Sequence, residues 1–233
     1  MIFSSSEYYD SISRSYSSIS NKRKLYLESV DKLIYKNVKN KENTSFLDIG
    51  VGDGDRSNRL ISKLNINKKK YFGVEPSFEM FNLANKFFHK GNLFNTSFES
   101  MKQIKQFDYI WFLWNVISHV DNLDIFFKKI TSLIKKNGHI FFDFNNLYNV
   151  KEYGLKNSLI NFLRSIFQKN LNFTLTNKNI STSVNFYSKN YIVRLLKKNR
   201  FKIKKIYFID YQSGSIEGNI FNSQIMIFCQ YVG

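Results

Sequence analysis

The sequence predicts an α/β fold in which helices cover both faces of a mostly parallel sheet. Two features support this fold class. Short apolar segments alternate with amphipathic helical segments from residue 46 onward, an order typical of parallel strands joined by helical crossovers. The last two apolar segments are joined by a loop without a helix, which predicts that the last strand is antiparallel to its neighbour.

The first half of the chain contains two predicted strands, each followed by a helix. Helical periodicity covers most of the first 40 residues, in "SEYYDSISRSY" and "KRKLYLESVDKLIYKNV". The first strand is "SFLDIG", and the helix after it is "DRSNRLISKL". The second strand is "KYFGVE", and Ser77 begins the second helix, "SFEMFNLANKFF", as its N-cap.

Three further strands and the C-terminal elements follow the same logic. A weaker third strand is expected near "FFHKGN" and a fourth in "FDYIWFLWNVI", followed by the helix "NLDIFFKKITSLIKK" and the fifth strand "HIFFDF". The helix "SKNYIVRLLKKNR" precedes the two C-terminal strands, "FKIKKIYFIDY" and "QIMIFCQYV". Residues 147–182 fit neither period cleanly, although "SLINFLRSIFQ" is compatible with a helix.

Composition predicts one globular domain. Of the 233 residues 43% are hydrophobic, and no linker divides them. No apolar run reaches the roughly 20 residues that cross a bilayer, and the first residues lack the pattern of a secretory signal, so we expect a cytoplasmic protein without a membrane partner. The lone Cys229 lies in an apolar run and is expected to be buried, and no metal site is predicted.

The net charge of +17 leaves several partners open. A basic protein can bind nucleic acid, an acidic membrane surface or an anionic substrate. The lysines and arginines are scattered along a sequence rich in lysine and asparagine, and no segment gathers them. A solvated basic surface is therefore the favoured interpretation.

A glycine-rich turn follows the first predicted strand, in "FLDIGVGDGD". Glycines at positions 50, 52 and 54 allow a backbone to approach a ligand at the carboxyl end of a parallel strand, where such sheets bind their ligands. The dinucleotide fingerprint G-x-G-x-x-G is absent, because Asp55 occupies the position of its third glycine. Asp53 also places negative charge where a pyrophosphate would lie, which argues against NAD.

The motifs around this turn resemble those of the class I S-adenosylmethionine-dependent methyltransferases. Their first motif, D-x-G-x-G-x-G, is present as Asp48, Gly50, Gly52 and Gly54. The resemblance continues in order over residues 46–146, through "YFGVEPSFEMFNLA", "NTSFESM", "FDYIWFLWNVISHVDN" and "LIKKNGHIFFDFNN". It implies a Rossmann-like seven-stranded sheet with an antiparallel last strand, and S-adenosylmethionine as the cofactor.

The resemblance also assigns candidate cofactor contacts. Glu75 would accept hydrogen bonds from the ribose hydroxyls, although a solvated acid at a strand end is the alternative. For the rest of the cofactor, the expected contacts are Pro76 and Phe98 to the adenine ring, Ser97 to the adenine amine, Asp48 and the carbonyls near Gly50 to the ammonium, Tyr16 or Arg23 to the carboxylate, and the backbone of Asn115. For Tyr16 a packed aromatic side chain is an equal alternative.

The residues that would contact the methyl acceptor are predicted less specifically than those that would contact the cofactor. Methyl transfer is an in-line displacement that needs positioning and desolvation, so a general base is optional. His119 follows the fourth strand and is the candidate base, with a structural role as the favoured alternative. Residues 147–182 are a candidate substrate cap that acts with the N-terminal helices, and a helix that only covers the edge of the sheet is an equal alternative. Within and beside this cap, the candidate acceptor contacts are Asn145, Asn146, Tyr148, Tyr153, Arg164 and Lys169, and the residues expected to face a pocket or the core are Leu159, Phe162, Leu163 and Ile166.

The functional prediction is a methyltransferase that acts on an oxygen or nitrogen of a small molecule, with an anionic acceptor compatible with the charge. An RNA or protein methyltransferase is the first alternative, although residues 1–45 are too short for an RNA-binding module. A non-catalytic S-adenosylmethionine-binding subunit is the second, although Asp48, the glycines and Glu75 are all in place. The protein is expected to be a monomer or a homodimer.

We expect a single domain over residues 1–233. Its parts are the N-terminal helices (1–45), the cofactor-binding core (46–146), the candidate cap (147–182), and a C-terminal helix with antiparallel strands (183–233).

Overall fold

The computed structural model describes residues 2–39, 43–177 and 179–233. The helices in these ranges are α1 (Ser5–Ile12), α2 (Tyr16–Asn21), α3 (Lys24–Asn37), α4 (Asp55–Lys63), α5 (Phe78–Ala84), α6 (Leu123–Leu133), α7 (Val150–Phe167) and α8 (Lys189–Lys198). The strands there are β1 (Ile2–Phe3), β2 (Phe46–Ile49), β3 (Tyr71–Val74), β4 (Leu93–Phe94), β5 (Phe107–Phe112), β6 (Ile134–Phe144), β7 (Asn170–Asn177), β8 (Ile180–Tyr187), β9 (Phe201–Ile209) and β10 (Gln224–Tyr231).

A seven-stranded sheet forms the centre of the described structure, in the order β4-β3-β2-β5-β6-β10-β9. The first five strands in this order pair in parallel, and β10 is antiparallel to both β6 and β9. The predicted fold class, a mostly parallel sheet with an antiparallel last strand, is confirmed. The strand order reverses direction between β2 and β5, where parallel sheets bind their ligands.

Helices cover both faces of this sheet, as predicted. The apolar side chains of α3 and α4 pack against one face, and those of α6 and α8 pack against the other. Strands β2 and β5 are almost fully buried because both of their faces are covered, which explains their continuous apolar runs. None of the described helices is both long and apolar enough to span a bilayer.

Three strand boundaries differ clearly from the prediction. The fifth strand, β6, begins at Ile134 instead of His139, because the helix before it already ends at Leu133. The third strand is found at Leu93–Phe94, just after the "FFHKGN" segment. The fourth ends at Phe112, because Trp114 and Asn115 have φ values of 61° and 62° that turn the backbone out of the sheet. A short 3₁₀ turn, Val116–His119, takes the place of the expected end of that strand.

Residues 147–182 form regular structure that the sequence pattern did not predict in full. Helix α7 contains the expected helical segment, with a break at Gly154 (φ 76°). Strands β7 and β8 form an antiparallel hairpin, and β1 pairs in parallel with β8 to give a second, three-stranded sheet. Lys178, between β7 and β8 in the sequence, lies outside the described residues.

The apolar residues of α7 do not face the interior. Leu159, Phe162, Leu163 and Ile166 are 48% to 60% exposed, so the prediction that they face a pocket or the core is wrong. The inward face of the helix is polar instead: Asn161 donates to the carbonyl of Leu147 at 3.2 Å.

Candidate functional site

The glycine turn between β2 and α4 adopts backbone conformations that favour glycine. Gly50, Gly52 and Gly54 have φ values of 74°, 64° and 80°. A Cβ atom added to Gly50 would lie 2.6 Å from a methyl group of Val116, and one added to Gly54 would lie 2.7 Å from the Cα of Ala84. These two glycines are therefore needed for close packing inside the protein. A Cβ atom added to Gly52 would lie 3.3 Å from the hydroxyl oxygen of Tyr16.

Glu75 follows β3 and links this strand end to the glycine turn. Its carboxylate accepts hydrogen bonds from the backbone N–H of Gly52 at 2.8 Å and from that of Ser77 at 2.9 Å. Burial raises the pKa of Glu75 to about 7, although both backbone hydrogen bonds act in the opposite direction. Each carboxylate oxygen retains acceptor capacity after these bonds, so two ribose hydroxyls fit its chemistry.

A cavity of about 720 Å³ opens at the carboxyl ends of β2, β3 and β5. It brings together most of the predicted cofactor contacts, from four separate parts of the chain. The predicted residues in its wall are Tyr16, Gly50, Gly52, Glu75, Pro76, Ser97, Phe98 and His119. Phe98 is buried and its ring contacts Phe126 edge to face, with ring centroids 4.9 Å apart, which gives a fixed apolar wall.

Asp48 lies in an internal hydrogen-bond network. Its Oδ2 accepts from the hydroxyls of Ser57 at 2.6 Å and Tyr71 at 2.7 Å. Burial raises the pKa of this carboxyl, and the two hydroxyl bonds oppose that rise. Asp48 also borders a second cavity of about 550 Å³, which shares Tyr16 and Gly50 with the first. A role toward the cofactor ammonium remains a prediction.

Two sets of contacts made by buried charged side chains near the site were not predicted. The Nε of Arg56 donates to Asp31 at 2.8 Å, and its two other guanidinium nitrogens are buried without a hydrogen-bond partner among the described residues. Asp143, at the end of β6, accepts from the Tyr26 hydroxyl and from the backbone N–H of Trp114. Asp143 therefore holds the turn after β5.

His119 is held between this turn and α1. Its Nδ1 is 2.8 Å from the hydroxyl of Ser5, and its Nε2 is 3.2 Å from the hydroxyl of Tyr9. Burial lowers the pKa of His119 to about 4, so the imidazole is neutral at neutral pH. The Tyr9 ring also contacts Tyr16, and Tyr16 contacts Trp114, so aromatic side chains of α1 and α2 cover the cavity.

Sequence reasoning missed several wall residues. Tyr9 was recognised only as part of a helical segment, and Ser5 lies just before that segment. Neither could be linked to His119, because the contacts span more than 100 residues of chain. The second sheet adds Thr182, Ser183 and Asn185 to the wall. A hairpin signal was available in the β-branched and aromatic residues of "NFTLT" and "STSVNFY".

Other predicted contacts lie elsewhere. Arg23 lies over the ring of Tyr211, 3.8 Å from its centroid, and borders neither cavity. Asn146 is buried and donates to the carbonyls of Ile220 and Ser223, which ties β6 to the loop before β10.

The candidate acceptor contacts beyond β6 are also outside both cavity walls, together with Asn115. Tyr148 bonds to Ser165, Tyr153 stacks with Phe173, and Arg164 and Lys169 are exposed. Asn145 is half-buried. Asn115 turns the backbone, and its side-chain oxygen is buried without a hydrogen-bond partner in the described structure. No group of His, Cys, Asp and Glu in the described ranges is placed to hold a metal ion.

Comparison with known proteins identifies the family. A family model for the methyltransferase domain matches residues 20–206, and no curated protein matches the sequence. The fold is similar to an S-adenosylmethionine-dependent methyltransferase from Clostridium acetobutylicum, at a TM-score of 0.66 and 18% identity over 94% of this chain and 99% of that chain. It is similar to a possible histamine N-methyltransferase from Thermotoga maritima, at a TM-score of 0.66 and 18% identity over 96% of this chain and 98% of that chain. It is also similar to the glycopeptide N-methyltransferase MtfA complexed with S-adenosylmethionine, at a TM-score of 0.60 and 9% identity over 88% of this chain and 94% of that chain.

The family match covers most of the chain, and it agrees with the sheet topology and with the motifs around the glycine turn. The chain therefore belongs to the methyltransferase domain family and is a class I S-adenosylmethionine-dependent methyltransferase.

Proposed function

We propose that the protein transfers a methyl group to a nitrogen or oxygen of a small acceptor that is neutral or cationic. The acceptor would bind in the part of the 720 Å³ cavity enclosed by α1, His119 and the second sheet. This proposal replaces the anionic acceptor that the net charge alone allowed.

The charge of the cavity wall is the observation that carries this proposal. Glu99 and Asp121 line the cavity in addition to Glu75, which is assigned to the cofactor, and no lysine or arginine is among the described residues of its wall. The chain contains 35 lysines and arginines, so the lack of any of them among the described wall residues is a strong local departure from the composition. An anionic acceptor or an RNA phosphate backbone would meet carboxylates there, whereas an amine or a hydroxyl would not be repelled.

The cofactor fits the other part of the same cavity. S-adenosylmethionine, when bound, supplies an electrophilic methyl group on a sulfonium. Glu75 would accept the ribose hydroxyls through the acceptor capacity that its two backbone bonds leave free. Phe98 and Pro76 would contact the adenine ring, and the missing side chain of Gly52 leaves room beneath Tyr16.

We assign His119 a positioning role. Its neutral imidazole bonds to both Ser5 and Tyr9, so it fastens α1 over the cavity and helps exclude water. An imidazole with a pKa of about 4 is too weak a base to take a proton from an ammonium or a hydroxyl at neutral pH. The acceptor nitrogen would therefore react as the free amine, through its own lone pair, and the proton released on methylation would pass to solvent.

A panel of acceptors of matched size tests the acceptor class. Small amines, alcohols, carboxylates, phosphate esters and a structured RNA would be incubated with S-adenosylmethionine, and the demethylated product would be quantified. We expect turnover of amines or alcohols and none of the anionic compounds.

A charge variant provides the matched test. Glu99→Gln with Asp121→Asn should raise KM for a cationic acceptor roughly 3- to 10-fold at low salt, because exposed carboxylates contribute modestly and are screened. Glu79→Gln removes an exposed acid outside the cavity wall and should change nothing. Preference for a carboxylate, a phosphate ester or RNA would contradict the proposal.

A further inference from the structure

Helix α7 presents an apolar face to solvent. Its outward side chains recur at spacings of three and four residues, as one stripe of a helix requires. The members of this stripe are Leu155, Leu159, Phe162, Leu163 and Ile166, which are 48% to 73% exposed. Ile160 and Phe167 extend the stripe on one side, and Phe167 is 89% exposed. A contiguous patch of this kind on a soluble domain marks an interaction surface.

The opposite face of α7 is polar and is fixed against the protein. Ser158 and Asn161 are buried there, and Asn161 donates to the carbonyl of Leu147. The hydroxyl of Ser165 is 2.9 Å from that of Tyr148. These bonds hold the apolar stripe outward, so the helix cannot bury it by rotation without leaving polar groups unpaired.

The start of the helix is anchored separately. Asn149 caps it by accepting from the backbone N–H groups of Lys151 and Glu152. The ammonium of Lys151 is 2.5 Å from the carboxylate of Asp210, in the loop between β9 and β10. The stripe is therefore displayed on a helix that is held at its first turn, before the break at Gly154, and on its inner face.

Basic side chains lie within and beside the apolar stripe. Lys156 lies within it, next to Leu155 in sequence, and Arg164 lies at its edge, four residues after Ile160. Both side chains are exposed, and Lys169 follows the end of the helix. Long basic side chains in such positions extend their charges past the apolar residues toward lipid headgroups.

We propose that α7 docks on the surface of an anionic lipid bilayer, with its apolar stripe inserted at the boundary of headgroups and acyl chains and its basic residues on the phosphates. Basic amphipathic helices bind membranes in this way without crossing them. This departs from the expectation that the protein has no membrane partner. It concerns a surface outside both cavities and is separate from the methyl-transfer site.

Charge decides between a bilayer and a second copy of the chain as the occupant. A homodimer through α7 would bring Lys156, Arg164 and Lys169 of each copy together, on chains that each carry +17. A bilayer with anionic lipids presents the opposite charge to the same residues and attracts them more strongly near its surface.

Vesicle flotation with the full chain tests the proposal. We expect the protein to float with phosphatidylcholine vesicles that contain phosphatidylglycerol, and to remain unbound with vesicles of phosphatidylcholine alone. The double variant Leu159→Gln with Leu163→Gln should weaken binding by about tenfold or more, because membrane affinity scales with the apolar area inserted. Lys156→Gln with Arg164→Gln should weaken it as well, and should reduce its salt dependence.

Matched variants complete the design. Leu25→Gln changes another exposed leucine, 53% exposed on α3, and Lys128→Gln with Lys202→Gln removes two exposed lysines elsewhere. Both controls should float like the wild type, and the α7 variants should bind S-adenosylhomocysteine with unchanged affinity. Absence of flotation, equal binding to neutral vesicles, or equal losses in the controls would overturn the proposal. A dimer in sedimentation that the Leu159 and Leu163 variant dissociates would also overturn it.

Discussion

The affinity for the cofactor should rise with pH between about 6 and 8, because Glu75 must ionise to accept the ribose hydroxyls. Burial raises the pKa of this carboxyl to about 7 in the ligand-free protein. At one pH unit below that value roughly a tenth of the molecules carry the carboxylate, and at one unit above roughly nine tenths do. The affinity should therefore rise roughly ninefold over this range.

The same raised pKa has a consequence for stability, with a defined sign. A carboxyl that is harder to ionise in the folded protein than in the unfolded chain favours the folded state at low pH. This contribution is complete below pH 4.5, the ordinary value, and is lost as the pH rises through about 7. Its full size is on the order of 3 kcal/mol. Saturation with cofactor should oppose the loss, because it stabilises the ionised form.

Isothermal titration calorimetry of S-adenosylhomocysteine at several pH values measures this effect. The amino group of the ligand also titrates, so Glu75→Gln is the reference: the ligand's titration is common to both proteins, and only the wild type includes Glu75. Below pH 7, binding to the wild type should also release a fraction of a proton, measured in buffers that differ in ionisation enthalpy. Equal pH dependence in the two proteins would refute the role of Glu75.

Three further predictions follow from the buried network, the glycine turn and α1. Arg56→Met should lower the free energy of unfolding in urea by about 3–5 kcal/mol, because it leaves the buried carboxylate of Asp31 unpaired. Arg59→Met breaks an exposed ion pair with Asp55 and should lower it by about 1 kcal/mol or less. Gly54→Ala should lower the melting temperature, because alanine at φ 80° is strained by about 1–2 kcal/mol and its Cβ would contact Ala84. His119→Phe should speed amide exchange in α1, and the wild-type pH–rate profile should show no titration of His119 above about pH 5.

Each of these predictions has a contradicting result. Equal losses for the Arg56 and Arg59 variants would show that the buried pair contributes no more than the exposed one. An unchanged melting temperature for Gly54→Ala would show that the turn relaxes freely. Unchanged exchange in α1 after the His119 substitution would show that this side chain does not hold the helix. For that variant, a far-ultraviolet circular dichroism spectrum equal to that of the wild type is the control for correct folding.

The mostly parallel character of the main sheet could be predicted because it depends on local signals. Apolar runs such as "FLDI" must be buried on both faces, and the alternation with helices leaves a parallel sheet as the consistent solution. The glycine turn and Glu75 could also be located, because they follow predicted strands directly. The predicted pairing of Glu75 with a ribose is a family inference, whereas its bond to Gly52 became visible only in the structure.

The acceptor side could not be predicted, because it depends on contacts between distant parts of the chain. Ser5 and His119 are 114 residues apart, and nothing in either local sequence indicates the other. The second sheet joins Ile2–Phe3 to the hairpin that begins at residue 170, which no periodicity reveals. Helix α7 was assigned correctly but oriented wrongly, because apolar residues were assumed to face inward and its buried face consists of Ser158 and Asn161.

Calorimetric binding of S-adenosylhomocysteine to the wild type and to Glu75→Ala, with ATP and NAD as competitors of similar size, tests the central claim most directly. We expect that S-adenosylhomocysteine binds and raises the melting temperature and that ATP and NAD do not. Glu75→Ala should lose on the order of 1.5–3 kcal/mol of binding free energy while it stays folded. No binding of S-adenosylhomocysteine at millimolar concentration, or equal affinity in the folded Glu75→Ala protein, would contradict the assignment of this cavity as the cofactor site.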